Sequence, residues 1–386
     1  MPRAKPPLDS LVLVRELVAL PGPPGQEDLV RDAVAAHVSA LGYSTNVDPK
    51  GNLLVRVGTQ PPKKGRGESE KGVTPTLIAD RSAPSHASRL PPHTSRVVIT
   101  AHLDEIALMV SGIEADGKIE VIPLGGALPW KWGEQPVEIM ARGGPIDGIL
   151  SFGCAHSGSQ ASVVEQARTG PLKWGHTYIF TGMTARELFK KGVRPGTRVA
   201  LHRGRRTVME IGDHVSSYFL DDRADLVAWL LALEAIKKEP LETEVLFAAT
   251  TSEEVGGEGA QYLLHQLQPD ICVALEIGPS VPECPFEIDE NPTVWVTDSY
   301  ASMAAVDMDI LAEVGEVLGQ RLHWQPISRG GSDATCSASK GLTARPVTLG
   351  FPVENSHGLE IMHRDAPAEL ARLTVAYLRK VCAEDS

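Results

Sequence analysis

At 386 residues the chain is long for one simple core, which favours two domains. A formal net charge of −12 and a pI of about 5.5 argue against a nucleic-acid footprint, and no apolar run is long enough to span a bilayer. Five scattered cysteines without a CxxC pair rule against a thiolate zinc site or a disulfide framework, and Met1–Pro7 lacks the apolar core of a signal peptide, so a cytoplasmic protein is expected.

Two amphipathic helices are predicted first, over about Leu8–Leu20 and Glu27–Leu41, separated by Pro21-Gly-Pro-Pro-Gly25, where a helix cannot continue. Short strands follow at Ser44–Val47 and Leu53–Val57. Residues 58–95 are rich in Pro, Gly, Ser, Lys and Arg and read as a flexible, disordered insertion. The run Val98–Ala101 reads as a buried strand. Beyond it, short strands punctuated by Gly and Pro (Ile106–Ile113, Lys118–Ile122, Pro136–Ala141, Ile146–Phe152, Arg198–His202) predict a small barrel or sandwich, with one helix near Thr184–Lys191. The basic run His202–Arg206 reads as a solvated hairpin edge. From Asp221 on, helix and strand alternate. Helices are expected at Asp222–Lys237, after Glu254, at Met303–Leu318 and at Ala366–Val381. Strands are expected at Glu244–Thr250, Ile271–Leu275, Thr293–Val296 and Arg345–Leu349. That alternation predicts an α/β domain with a mostly parallel sheet covered by helices, resumed after a β-rich domain inserted at 112–212. Sites in such sheets form at the carboxyl ends of the strands.

The chemistry-bearing residues gather at those predicted ends. His102 and Asp104 are two residues apart, and on a strand residues i and i+2 share a side. One ring nitrogen of His102 can then ligate a metal while Asp104 accepts a hydrogen bond from the other. Asp221-Asp222 opens a helix, Glu253-Glu254 follows one strand, Glu276 ends another, and His357 follows the last. Two imidazoles with several carboxylates form a mixed N/O donor set suited to zinc, cobalt or manganese. The donors outnumber what one catalytic zinc takes, so two divalent ions sharing a carboxylate fit better. Of the neighbours Glu253 and Glu254, which leave a strand in different directions, one can bind metal while the other moves a proton from an activated water to a leaving amine. Each segment also has an ordinary reading: Asp221-Asp222 as a helix cap, Glu253-Glu254 as a complement to a helix dipole, Glu276 as a solvated turn residue, His363 as a surface residue. Their joint occurrence in this order favours the site.

These segments resemble the tetrahedral aminopeptidases, the glutamyl-aminopeptidase and endoglucanase-M-like group of cocatalytic metallopeptidases. The likeness runs through Pro21–Glu27, Gly51–Leu53, Ala101–Val110, Val193–Gly196, Leu220–Arg223, Glu253–Ala260, Ala274–Pro279, Gly330–Ala334 and His357–Asp365. It implies a zinc-peptidase-like catalytic domain at 1–111 and 213–386, a barrel-like dimerisation domain at 112–212, and dimers assembled into hollow dodecamers that trim peptides from the N-terminus. It implies metal ligands His102, Asp221, Glu254, Glu276 and His357, with Asp221 bridging, Glu253 as general base and Asp104 orienting His102. On this reading Glu254 shares the ion of His102, and Glu276 that of His357. The chain departs from the family pattern at Leu103 (commonly Met), Ala107 and Asp225 (usually Gly), Gly358 (often Ser) and in the length of 58–95.

Three other readings remain open. The same site suits an N-acyl amino acid amidohydrolase. Gly330-Gly-Ser332-Asp-Ala334 approximates a nucleophile elbow, with Glu354 and His357 downstream, as in a serine hydrolase. A non-catalytic assembly protein that kept metal for stability is the last.

Overall fold

Residues 8–58, 97–160 and 162–384 are described by a computed structural model; the expected flexible insertion lies, from residue 59 on, outside the described residues. Helices α1 (Ser10–Val18) and α2 (Asp28–Ala40) open the chain, and the side chain of Asp9 caps α1 by accepting from the Val12 N–H. Strands β1 (Thr45–Val47), β2 (Leu53–Val57) and β3 (Val97–His102) follow. The next stretch holds β4 (Ala107–Ile113), β5 (Ile119–Leu124), α3 (Pro129–Trp132), β6 (Gln135–Ala141), β7 (Gly144–Ser151), α4 (Val163–Thr169), β8 (Tyr178–Phe180), α5 (Ala185–Lys190) and β9 (Arg198–Leu201). Then come β10 (Met209–Ile211), β11 (His214–Ser217), α6 (Leu220–Lys238), β12 (Val245–Thr250), α7 (Glu258–Leu267), β13 (Ile271–Pro279) and β14 (Thr293–Thr297). Helix α8 (Ala305–Leu318), β15 (His323–Pro326), α9 (Asp333–Ala338), β16 (Arg345–Val353), β17 (Glu360–His363) and α10 (Ala366–Glu384) complete the described chain.

The central sheet runs β1-β2-β12-β3-β13-β16-β14-β15. Its middle strands β12, β3, β13 and β16 are parallel. Both their faces are covered, which is why Val97–His102 and Val245–Thr250 are buried at every position. Alternation along β3 divides its side chains between two cores: Val97, Ile99 and Ala101 join the larger one under α6 and α10, and Val98 joins Leu246, Ala248, Cys272 and Ala274 under α7 and α9. The sheet is mostly parallel, as expected, with antiparallel pairings toward its two ends, where β1 joins β2, β2 joins β12 and β14 joins β16. No helix interrupts 280–292, so β14 returns without the crossover a parallel strand needs.

Strands β4-β5-β8-β7-β6-β9 close a barrel around its own core, with Leu108, Val137, Ile139 and Val199 wholly buried. The three-residue strand β8 is too short to show alternation in the sequence. A small antiparallel sheet, β10-β11-β17, pairs Ser217 with Glu360 and so brings the chain entering α6 beside the chain leaving β16. Among the described residues no helix is long and apolar enough to cross a membrane.

Candidate active site

Parallel register puts the first donors level with one another. Thr250 pairs with His102, and Ala274 pairs with Thr100, so Glu276 lies level with His102 on the adjoining strand. His102 is the last residue of β3, and Glu253 and Glu254 follow β12, as expected. Glu276 departs from the expectation: β13 continues to Pro279, so Glu276 is a strand residue, not an exit residue. Asp221 has extended dihedrals, and regular helix begins only past Asp222. The Asp221–Asp222 peptide is cis.

Asp221 stands at the centre. Its Oδ1 is 3.0 Å from His102 Nε2, and its Oδ2 is 3.5 Å from His357 Nε2. Glu276 Oε2 lies 4.0 Å from His102 Nε2, and Glu254 Oε2 lies 3.6 Å from His357 Nε2. The donors thus form two groups that share Asp221, one with His102, Asp222 and Glu276, the other with Glu254 and His357. This reverses the expected pairing of the two glutamates. Sequence order gave no handle on it: β13 lies beside β3 in the sheet, whereas the loop after β12 reaches across to that of His357.

Glu253 lines the same pocket but belongs to neither group. The pocket is also lined by Ile277, Trp295, Ile327, Arg329 and Gly330-Gly331. Ser332 does not face it. Wholly buried, its hydroxyl contacts Thr348 Oγ1 at 2.7 Å and caps α9, which removes the nucleophile-elbow reading.

The electrostatics call for cations. Burial pushes the Glu254 carboxyl up to about 7, and burial with neighbouring carboxylates holds Glu253 and Glu276 well above the usual range. Burial opposes ionisation of Asp221 as well, yet its hydrogen bonds with His102 and His357 hold it below the ordinary carboxylate range. For His357 burial disfavours charge, but Glu254 and Asp221 raise it to about 10. Among the described residues the ion-pair partners of Asp221, Glu254 and Glu276 are these two histidines, with no Lys or Arg. Buried acidic groups converging with imidazoles and paired with no Lys or Arg fit divalent metal binding. On the barrel, Glu138, Asp147 and His202 also gather, but there the Arg203 guanidinium pairs with both carboxylates.

Supporting residues fill the ground beneath. Asp104 acts differently from the strand picture. β3 ends at His102, so the backbone carbonyl of Asp104 comes nearer the ring than its carboxylate does: His102 Nδ1 is 3.1 Å from the carbonyl and 3.5 Å from Oδ1. The carboxylate also accepts the N–H groups of Glu253 (2.9 Å) and Glu254 (3.1 Å), fixing both glutamates. Glu360, not anticipated, accepts from the N–H of His357 at 2.9 Å and from that of Asp221 at 3.1 Å. Its signal was the His-x-x-Glu spacing, in which a carboxylate reaches back to an N–H three residues earlier as in a capping box. Asp225, where the resemblance leads one to expect glycine, is buried beside Asp222, and burial pushes its carboxyl up to about 8. His363 lies away from the donors, its ring against that of His214.

Glu105 was also missed. Its buried carboxylate pairs with Arg206 and, at 2.7 Å, with Arg223, which in turn donates to the carbonyls of Leu103 and Asp104. Arg206 is therefore buried in an ion triad, not part of a solvated hairpin edge. Glu105→Gln would leave two buried guanidinium groups short of counter-charge. The expected cost is about 3–5 kcal/mol of stability, read as a lower denaturant midpoint; a midpoint equal to wild type would refute it.

A central α/β sheet with helices on both faces, an inserted barrel and paired His/carboxylate groups at the strand ends define the zinc-peptidase-like class of fold. The chain belongs to the M42 glutamyl aminopeptidase family, whose profile matches residues 88–373. A lysyl aminopeptidase of Pyrococcus furiosus is 24% identical over 268 residues, 69% of this chain and 65% of the relative, so the match spans just under two thirds of that relative. Among solved structures, an aminopeptidase of Desulfurococcus kamchatkensis superposes with a TM-score of 0.78 at 23% identity, covering 96% of this chain and 94% of that one. The TET1 peptidase of Pyrococcus horikoshii, which can assemble into a tetrahedron or a large octahedral shell, gives 0.76 at 21% identity, covering 95% and 98%.

Proposed function

We propose that this protein is a dinuclear metal-dependent aminopeptidase that hydrolyses N-terminal residues from peptides. The observation that carries the reading is the Asp221 carboxylate, with one oxygen toward His102 and the other toward His357. His102, Asp221 and Glu276 would hold one divalent cation, and Asp221, Glu254 and His357 the second, as zinc, cobalt or manganese. Two such cations, when bound, lower the pKa of water and polarise the scissile carbonyl. Glu253, left out of both groups, takes the proton of the attacking water and delivers it to the leaving amine. Asp104 holds the main chain of Glu253 and Glu254 so that neighbouring carboxylates keep separate tasks. The apolar wall of Ile277, Trp295 and Ile327 would receive the N-terminal side chain.

The assembly proposed is a homo-oligomer, with dimers built on the barrel of β4 to β9 and a dodecamer as the larger form. The self-assembling TET1 relative supports it, as does the cross-strand pair Ile149 and Phe180, which faces outward from the barrel at 48% and 59% exposure. Five free cysteines support a reducing compartment, the cytoplasm. No nucleic-acid or membrane partner is proposed.

An N-acyl amino acid amidohydrolase would use the same donors, and the activity in the relative's name favours the aminopeptidase. The test is hydrolysis of a panel of free-amine aminoacyl reporters beside their N-acylated counterparts, before and after chelation, with metal content measured. Cleavage of free-amine substrates that chelation abolishes and metal restores is expected. Preference for the N-acylated series, or activity surviving exhaustive chelation, would overturn the reading.

A further inference from the structure

The two donor groups are walled differently. His102 and Glu276 sit on adjacent strands in the middle of the sheet and are 2% and 5% exposed. Glu254 and His357 sit on loops, and against both lies a loop of the barrel. A Cβ on Gly125 would stand 3.0 Å from Glu254 Oε2, and one on Gly126 would stand 2.3 Å from His357 Nδ1. Gly126 is thus glycine because the imidazole occupies the place of a side chain. The same loop runs into α3, where Lys131 donates from Nζ to the backbone carbonyl of Ser356. The stem of Lys131 also lies 3.4 Å from where a Cβ on Gly358 would be. Barrel contacts therefore reach both residues that flank His357.

That loop needs holding. Asn355 and His357 have φ of 63° and 62°, in the left-handed region, which a β-carbon disfavours, least so for asparagine. Glu360 grips the His357 N–H from the catalytic side. Lys131 grips the preceding carbonyl from the barrel side. We propose that Lys131 is a positioning residue for His357, through which the seated barrel completes the ion site of Glu254 and His357 while leaving that of His102 and Glu276 independent. The proposal rests on the dinuclear reading above. It makes the occupancy of one ion site a report on the seating of the barrel.

The test titrates the chelated full-length protein with Co²⁺, followed by visible absorption and calorimetry. Wild type is expected to bind in two steps. Lys131→Met should weaken one step about 10–100-fold, the range for losing a group that supports a ligand, and leave the other unchanged. Lys131→Arg keeps a donor for the Ser356 carbonyl and should recover most of the loss. Gly126→Ala presses on the His357 ring and should give the same selective weakening by a second route, even where the Met variant fails to fold. Two unchanged steps in both variants, or equal weakening of both steps, would overturn the proposal. Wild-type protein that takes up fewer than two Co²⁺ would overturn the dinuclear reading itself, and this proposal with it.

Discussion

Glu253→Gln is expected to keep both ions and to lower kcat by about 10²–10⁴-fold, the usual contribution of a positioned acid or base. Glu253 lines the pocket and belongs to neither donor group, so its loss removes no ligand. Its N–H is fixed by Asp104 at 2.9 Å, which sets the direction of the side chain. Burial first, then the charges of Asp333, Glu254 and Asp104, hold its proton affinity well above that of an ordinary glutamate. A carboxyl so placed can accept a proton and hand it on, more readily once cations offset the surrounding negative charge. Glutamine preserves the shape but replaces one carboxylate oxygen with an NH2 donor and removes the titratable group. Steady-state kinetics beside metal analysis decide it. A metal-replete variant turning over at the wild-type rate would remove Glu253 from the chemistry.

Asp221→Asn should abolish uptake of both ions, whereas Glu254→Ala should lose only the one shared with His357. Asp221 is the single residue common to the two groups, and each of its oxygens faces a different imidazole. The amide lacks the charge and one of the two acceptor oxygens. The fall in affinity should exceed the ~10–100-fold typical of residues that merely support a ligand. A stability readout follows by linkage: metal at 100 times its Kd stabilises the wild type by ~2.7 kcal/mol, and the increment should vanish in Asp221→Asn. Unfolding curves with and without metal test it. Asp221→Asn protein that still binds two ions at wild-type affinity would contradict the bridge.

Much of the fold could be read from the chain. Helical spacing in α2, the apolar run of β3 and the strand–helix alternation after Asp221 are local patterns, and local patterns survive without a partner. The closed barrel was foreshadowed by Gly and Pro punctuation, although β8 and the small sheet β10-β11-β17 were not. Their strands are three or four residues long and owe their existence to pairing across the chain.

The donor residues stood out because a catalytic chemistry limits the residue types that can serve it: imidazoles and carboxylates at strand ends are conspicuous in any linear order. Sequence therefore determined which side chains are candidates for the chemistry and roughly where each element begins. Only the tertiary structure decided which glutamate lies beside which histidine, because that depends on strand neighbours and loop reach rather than on spacing. It also decided that Glu105 neutralises two buried arginines, that Glu360 grips Asp221 and His357 together, and that Asp104 serves Glu253 and Glu254 more than His102. The physical reason is common to all of these. A buried charge or N–H takes whatever partner folding brings within about 3 Å, and that partner can stand a hundred residues away with no mark of it in the local pattern.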